Sequence, residues 1–253
     1  MDESWYLHVK IEKLKVRVSK KRLVLQPTDN IIKLRYDKSK LLTILKPHSS
    51  GFSVSRHIRE LNKRGIRMIM ESKNKYLIGK IGEDIIADNY WLLHKFFPGM
   101  HILYFTHEFN ITVRELSRSN LPQWLHWGAP LSTHCWLKKY RPDLYTPDLH
   151  IKVLHGYSTV SEIYEKLDSL LTDGDREILA EFPGGNPPFD FVGFKITDEK
   201  MLEKALIDVK TVRGGSVTLG GKKQRALALR AFELGFNIYI IKVTLCPWPC
   251  QRG

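Results

Sequence analysis

The segment LHVKIEKLKVRV, residues 7–18, alternates apolar and charged positions for much of its length, and NIIKLRY follows after the turn residues QPTDN. Alternation with period two marks a half-buried strand, so residues 5–36 are predicted to form short strands. The pattern then changes to helical spacing in SKLLTILKPHSSG and FSVSRHIRELNKRG, which Pro47 and Gly51 separate. In the second of these, Ser53 suits an N-cap, Val54, Ile58 and Leu61 recur at spacings of four and three, and Gly65 suits the position just past a helix end. IRMIM and KYLIG flank ESKN and are predicted as a hairpin.

From Gly79, GKIGEDIIADNYWLLHKFF places Ile81, Ile85, Leu92 and Phe96 near helical spacing, with further apolar residues that predict burial on more than one side. HILYF reads as a strand. Residues 106–186 are rich in Trp, His and Pro, contain no repeat, and end in the helix-like STVSEIYEKLDSLL and GDREILAEF. Regular patterning then returns: strand 189–196, strand 205–212, helix 222–234 closed by Gly235, and strand 237–245.

Charge divides the chain. Residues 1–80 hold 20 Lys or Arg against 7 Asp or Glu, a difference equal to the whole net charge of +13. Such a concentration suits a polyanion, because each cation set against a phosphate releases condensed counterions. An acidic lipid surface meets the same electrostatics, but no long amphipathic anchor is visible, so nucleic acid is the expected partner. The organisation read from these patterns is a basic N-terminal domain, 1–78, followed by a second domain, 79–253, interrupted by 106–186. Helix, turn, basic helix and hairpin in the first domain resemble a winged helix-turn-helix. That resemblance implies Arg56, His57, Arg59, Lys63 and Arg64 on or beside a recognition helix, with Lys73 and Lys75 in the wing. The alternative is a basic scaffold with a solvated charged face.

Composition narrows the classes further. With 43% hydrophobic and 26% charged residues, the chain reads as a globular protein, and no apolar run approaches the roughly 20 residues of a membrane span. MDESWYLHVK does not read as a secretory signal, and an intracellular, cytoplasmic location is expected. Three cysteines, Cys135, Cys246 and Cys250, argue against a disulfide framework. The CPWPC pair leaves a disulfide or metal ligation open without supplying a tetrahedral zinc set, and the spacing of His107, His126, His134 and His155 matches no zinc finger.

The chemistry-bearing stretch is PPFDFVGFKITDEKMLEKALIDVKTV, residues 187–212. Side chains two apart on a strand share a face, so Asp208 and Lys210 point together while Ile207 and Val209 point to the other side. The connection TDEKMLEK allows an antiparallel return that brings Asp190 across from Asp208. Two carboxylates packed alone repel, and one takes up a proton. A divalent cation removes that repulsion, and Mg²⁺ binds through one or two carboxylates together with water and phosphate. The alternative is a surface ion pair of Asp208 with Lys210, worth about 0–1 kcal/mol.

These residues resemble the PD-(D/E)XK nuclease superfamily, whose motif is an Asp near one strand followed by a carboxylate, any residue and Lys on the next. Asp190 after Phe189, and DVK at 208–210, match it, with Pro187 and Pro188 just ahead. The resemblance covers 79–105 and 189–245 and implies an α/β fold with a restriction-endonuclease-like αβββαβ core, in which 106–186 is a long insertion. It implies hydrolysis of phosphodiester bonds, most readily in DNA. Asp190, Asp208, the Val209 carbonyl and Glu83 would hold Mg²⁺ or Mn²⁺, and Lys210 would orient or help deprotonate the attacking water. Gln224, with Lys222, Lys223 and Arg225 at a helix start, would meet the phosphate. Glu83 and the residues around Gln224 read alternatively as ordinary first-turn residues. VRGGSVTLGG lacks P-loop spacing, which argues against nucleoside triphosphate binding. Three cysteines disfavour the four-cysteine iron-sulfur type of nuclease, while resolvase, restriction and repair types stay open. A homodimer is compatible with cutting both strands. The rival function is a non-catalytic nucleic-acid-binding protein that keeps the nuclease-like fold.

Overall fold

The computed structural model describes residues 6–19, 22–45, 59, 61–89, 91–104, 135, 138–140, 142–143, 161–182, 188–198 and 201–246. Its centre is a mixed six-stranded sheet in an α/β arrangement. The elements are β1 (Tyr6–Ser19), β2 (Arg22–Asp37), α1 (Lys38–Leu45), α2 (Arg67–Glu71), α3 (Lys75–Asp88), α4 (Trp91–Phe96), β3 (His101–Tyr104), α5 (Ser161–Leu170), α6 (Asp173–Leu179), β4 (Phe191–Asp198), β5 (Met201–Val212), α7 (Lys222–Glu233) and β6 (Phe236–Cys246). Across the sheet the order is β2-β1-β6-β5-β4-β3. Only the β5–β6 pair is parallel, joined by α7 as a crossover; β3, β4 and β5 form an antiparallel meander.

Alternation along β1 and β6 decides what each sheet face packs against. Leu7, Val9 and Ile11 of β1, with Ile241, Val243 and Leu245 of β6, lie in one core with Leu77, Ile81 and Ile85 of α3 and Leu92, Leu93 and Phe96 of α4. Leu14 and Val16, with Ile238 and Ile240, lie on the other face against Leu227 and Ala231 of α7 and Leu167, Ile178 and Leu179 of α5 and α6. The end of the expected insertion therefore supplies part of the second core. Lys204 Nζ ties this layer down, 2.7 Å from Asp175 Oδ1.

Two expectations need correction. The hairpin expected over 66–79 is helical, and with it the wing is lost. Asn74 caps α3, its side chain accepting from the Leu77 amide at 3.1 Å, and Leu77, Ile78, Ile81, Ile85 and Ile86 then follow helical spacing into the first core. Lys73 precedes this cap and Lys75 opens the helix. Nor does the sheet divide at residue 78. Residues 6–19 and 22–37 make two long strands in place of several short ones, and β1 pairs along β6 from His8↔Cys246 to Val16↔Ile238. Alternating apolar residues predict strands equally well for a separate module and for an extension of another sheet; the partner decides. Cys246 is disulfide-bonded and Cys135 is a free, buried thiol. Among the described residues, no helix is long and apolar enough to cross a membrane.

Helix α3 meets β5 so closely at Gly82 that a Cβ there would lie 1.8 Å from Thr211 Oγ1. A methyl group forces the helix off the strand that carries Asp208 and Lys210. Gly82→Ala is expected to cost about 1–3 kcal/mol, as overpacking does, lowering Tm by about 2–4 °C per kcal/mol in a chain of this size. Thr211→Ala in the same chain should restore part of the loss. An unchanged Tm in a thermal melt of Gly82→Ala contradicts this packing.

Candidate active site

The three motif side chains come together where β4 begins beside β5. Phe191 pairs with Ile207, and one residue earlier the Asp190 amide donates to the Ile207 carbonyl at 3.1 Å, which continues the register so that Asp190 lies beside Asp208. Asp190 Oδ2 in turn accepts from the Val209 amide at 2.6 Å. Lys210 Nζ stands 2.6 Å from Asp208 Oδ2, though without the alignment of a good hydrogen bond. A surface ion pair would leave both groups in water, whereas Asp190 and Asp208 are 7% and 3% exposed. Their flanking residues Phe189, Phe191, Ile207 and Val209 are buried as well, which fixes the strand ends and so the two carboxylates.

A cavity of about 360 Å³ opens onto this pair. Glu83, Pro188, Asp190, Asp208, Val209 and Lys210 form part of its lining, and Gly220, Gly221, Lys223 and Gln224 close the other side. Glu83 reaches it from α3, in the layer on the opposite face of the sheet from α7. Neighbouring Lys80 lies 2.8 Å from Asp84 Oδ1 and 4.0 Å from Glu83 Oε2.

Gln224 lines the cavity and bonds to two backbone groups. Its Oε1 accepts from the Gly220 amide at 2.5 Å and its Nε2 donates to the Pro188 carbonyl at 2.6 Å. The side chain thus clips the loop before α7 to the turn that presents Asp190. A Cβ at 220 would sit 2.5 Å from Gln224 Oε1, so a larger residue there displaces this amide. Proline-proline before Asp190 and glycine-glycine before Lys222 were the sequence signals of these two backbone walls, and nothing in their residue types announces that a glutamine joins them.

Electrostatics make the pair costly without a counter-ion. Burial, then the Asp208 and Glu83 charges, push the Asp190 carboxyl well above the usual carboxylate range, against the opposing pull of the Val209 amide. Burial raises Asp208 as well, while the Lys210 ammonium and the Gln224 amide pull it back. For Lys210, burial works against the charge, but the carboxylates of Asp208, Asp190 and Glu83 outweigh it and the net shift is upward, so the amine is protonated at neutral pH.

The donor set fits a hard cation of the Mg²⁺ type. Among the described residues no three His, Cys, Asp or Glu side chains are grouped to hold one ion. A soft, fully protein-caged metal is therefore not what this site suits. Asp190 and Asp208, with the Val209 carbonyl between them in the lining, match a cation held by two carboxylates with remaining positions for water and phosphate. Asp208 Oδ2 is buried, with the Lys210 ammonium as its near neighbour. Glu83 faces the same cavity and raises Asp190 through space.

The expected nucleic-acid contacts separate into two groups. Lys222, Lys223 and Arg225 are exposed on the first turn of α7, and Lys223 lines the cavity. Arg59 and Lys63 are exposed, and Arg64 is held 2.8 Å from Glu71 Oε2. Leu61 and Ile66 of this stretch pack into the first core, so it lies across the sheet from Asp208 and does not join the site. Arg56 and His57, like His107, His126, His134 and His155, lie outside the described residues.

The sign of the pH response follows. Because the folded protein holds protons on these carboxyls more tightly than the unfolded chain, that stabilisation is complete below the unfolded value of about 4 and is lost as pH rises through the raised pKa. Metal-free protein should therefore lose stability with rising pH through this window, and Mg²⁺ should restore more at pH 8 than at pH 5. Asp190→Asn keeps an acceptor for the Val209 amide, so its metal-free Tm at pH 8 is expected above that of the wild type, with the Mg²⁺ response gone. Melts at both pH values, with EDTA or Mg²⁺, check this; a wild-type Mg²⁺ response in the variant contradicts it. Comparison of the chain with family models, with curated proteins and with solved structures finds no match.

Proposed function

We propose that the protein is a metal-dependent nuclease that hydrolyses phosphodiester bonds in DNA, built on a PD-(D/E)XK type of core. The single observation that carries this reading is the burial of Asp190 beside Asp208, with the Lys210 ammonium at 2.6 Å, at the mouth of an open cavity. Supporting it is the order of elements: helix α3, three antiparallel strands, crossover helix α7, and a strand parallel to the last of the three. That is the order the superfamily resemblance implies for residues 79–105 and 189–245.

Each residue then has a task that its position allows. Mg²⁺ or Mn²⁺, held by Asp190, Asp208 and the Val209 carbonyl, would act as a Lewis acid on the phosphodiester and offset its charge. Lys210, a protonated amine beside the pair, orients the attacking water and adds positive charge where the transition state gains negative charge. Glu83, on the cavity wall, is placed to accept a proton or hydrogen bond from that water. Gln224 keeps the two walls in register.

The start of α7 fits a phosphate. Gly221 gives no side-chain cap, and the first turn holds no acid but carries Lys222, Lys223 and Arg225. Cations near a helix N-terminus run against the dipole by about 0.3–1 kcal/mol each. A bound anion removes that conflict and takes hydrogen bonds from the open amides. A protein that only binds nucleic acid would gain stability from replacing the buried carboxylates, which leaves their presence unexplained.

Asp208→Ala and Lys210→Ala are each expected to lower Mg²⁺-dependent cleavage of DNA by about 10²–10⁴-fold, the range for loss of a positioned charged or proton-transferring group. Cleavage is to be followed on single-stranded, duplex and branched substrates, with EDTA as the blank. Wild-type rates in both variants, or turnover that persists in EDTA, overturn the assignment.

A further inference from the structure

The sheet face that carries Asp208 and Lys210 changes character partway along its strands. Toward one end Leu14, Leu206, Ile238 and Ile240 lie under α5, α6 and α7. Past Asp208 the same face turns polar, and no described helix packs on it. The strand registers place its residues side by side. Lys210 of β5 is opposite Lys242 of β6, Lys242 is opposite Glu12 of β1, and Thr244 is opposite Lys10. Lys10 is in turn opposite Lys33 of β2, and His8 is opposite Arg35. Directly paired residues share a face, so Lys210, Lys242, Lys10, Lys33 and Arg35 stand on one surface that starts at the site.

We propose that this basic half-face is the track along which the phosphate backbone of the nucleic acid runs away from the cleavage site; the inference rests on the nuclease reading of Asp190, Asp208 and Lys210. Charge complementarity and continuity with the site carry it. Two acids share the face: Glu12, 2.9 Å from Lys10 and 3.6 Å from Lys242, and Asp37 at its β2 end, opposite Tyr6, whose Oδ1 accepts from the Lys40 amide. The remaining charge is positive: Lys33 and Arg35 are exposed, and the side chains of Lys10 and Lys210 are 37% and 31% exposed. Arg35 Cζ lies 3.5 Å from the centre of the Tyr6 ring, a cation–π contact that steadies an exposed guanidinium. Three interstrand steps from β5 to β2 span about 14 Å, long enough to meet successive phosphates of one strand. A helix-based reader is unnecessary, because the basic N-terminal strands are themselves the continuation of the catalytic sheet.

The test is binding of a 20-base-pair duplex and a 20-nucleotide single strand to the full chain in EDTA, where cleavage does not interfere, across a salt series. Lys33→Glu with Arg35→Glu is expected to weaken binding at least tenfold at 0.1 M salt. It should also flatten the log–log salt slope by about 2, since each lost phosphate contact removes about 0.9. Lys33→Gln with Arg35→Gln should flatten the slope equally with a smaller loss of affinity, because it removes contacts without adding repulsion. Arg59→Glu with Lys63→Glu, across the sheet, should leave both unchanged. Wild-type affinity and slope in the first variant overturn the track, as does an equal loss in the Arg59 and Lys63 variant. Nucleic-acid binding that is absent while phosphatidylserine vesicles bind also overturns it. If the binding pattern holds but the wild type never cleaves with Mg²⁺, the catalytic reading falls and the track stands. If the wild type cleaves and Lys33→Glu with Arg35→Glu keeps its KM, the track alone falls.

Discussion

Two carboxylates buried side by side on an apolar sheet are the constraint around which this protein is arranged. Asp190 and Asp208 are held there by backbone geometry, since their flanking phenylalanines and aliphatic residues are fixed in the cores. An amide of the neighbouring strand fastens Asp190 in place. Loss of hydration pushes both toward the protonated form, the Asp208 charge adds to it at Asp190, and Lys210 offsets only part of it. A natural sequence keeps such a local conflict where the strained group has work to do. The neighbouring features make sense as supports for that pair: the Gln224 clip, the close seat of α3 at Gly82, and the open first turn of α7.

The same sheet separates two kinds of work. Its strands are long enough that one stretch of a face can be core and the next stretch solvent-facing, and the change falls at the level of Asp208. Apolar residues before that level anchor α7 and the helices of the insertion; basic residues beyond it extend across β6, β1 and β2. The carboxylate pair at this boundary has a rigid, buried base and, on the nuclease reading, immediate access to a polyanion. On the proposed track, the charge excess of residues 1–80 would act through the sheet strands β1 and β2.

How much of this was legible in the residues depended on whether the signal was local. Asp190, Asp208 and Lys210 were readable because strand alternation and antiparallel return are short-range rules, and the element order from β4 to β6 followed from uninterrupted patterning. The region 66–79 was misread because ESKN suits a turn and also suits a capped helix start; Asn74 settles the matter only once Leu77 and Ile78 have a core to enter. The place of β1 and β2 was not readable, because an amphipathic strand does not name its partner. The same holds for Lys242 and Lys33, which look like ordinary solvated lysines until the register sets them beside Lys210 and Lys10. Gln224 was recognised as part of the site, but its bonds to Gly220 and Pro188 are tertiary and have no sequence trace.

The most direct test of the central claim is an anomalous difference map from crystals of the wild-type protein grown with Mn²⁺ at pH 8. The expected result is a peak between the Asp190 and Asp208 carboxylates beside the Val209 carbonyl, lost in crystals of Asp190→Asn. A map with no peak there, and with Lys210 still paired to Asp208, would contradict the account.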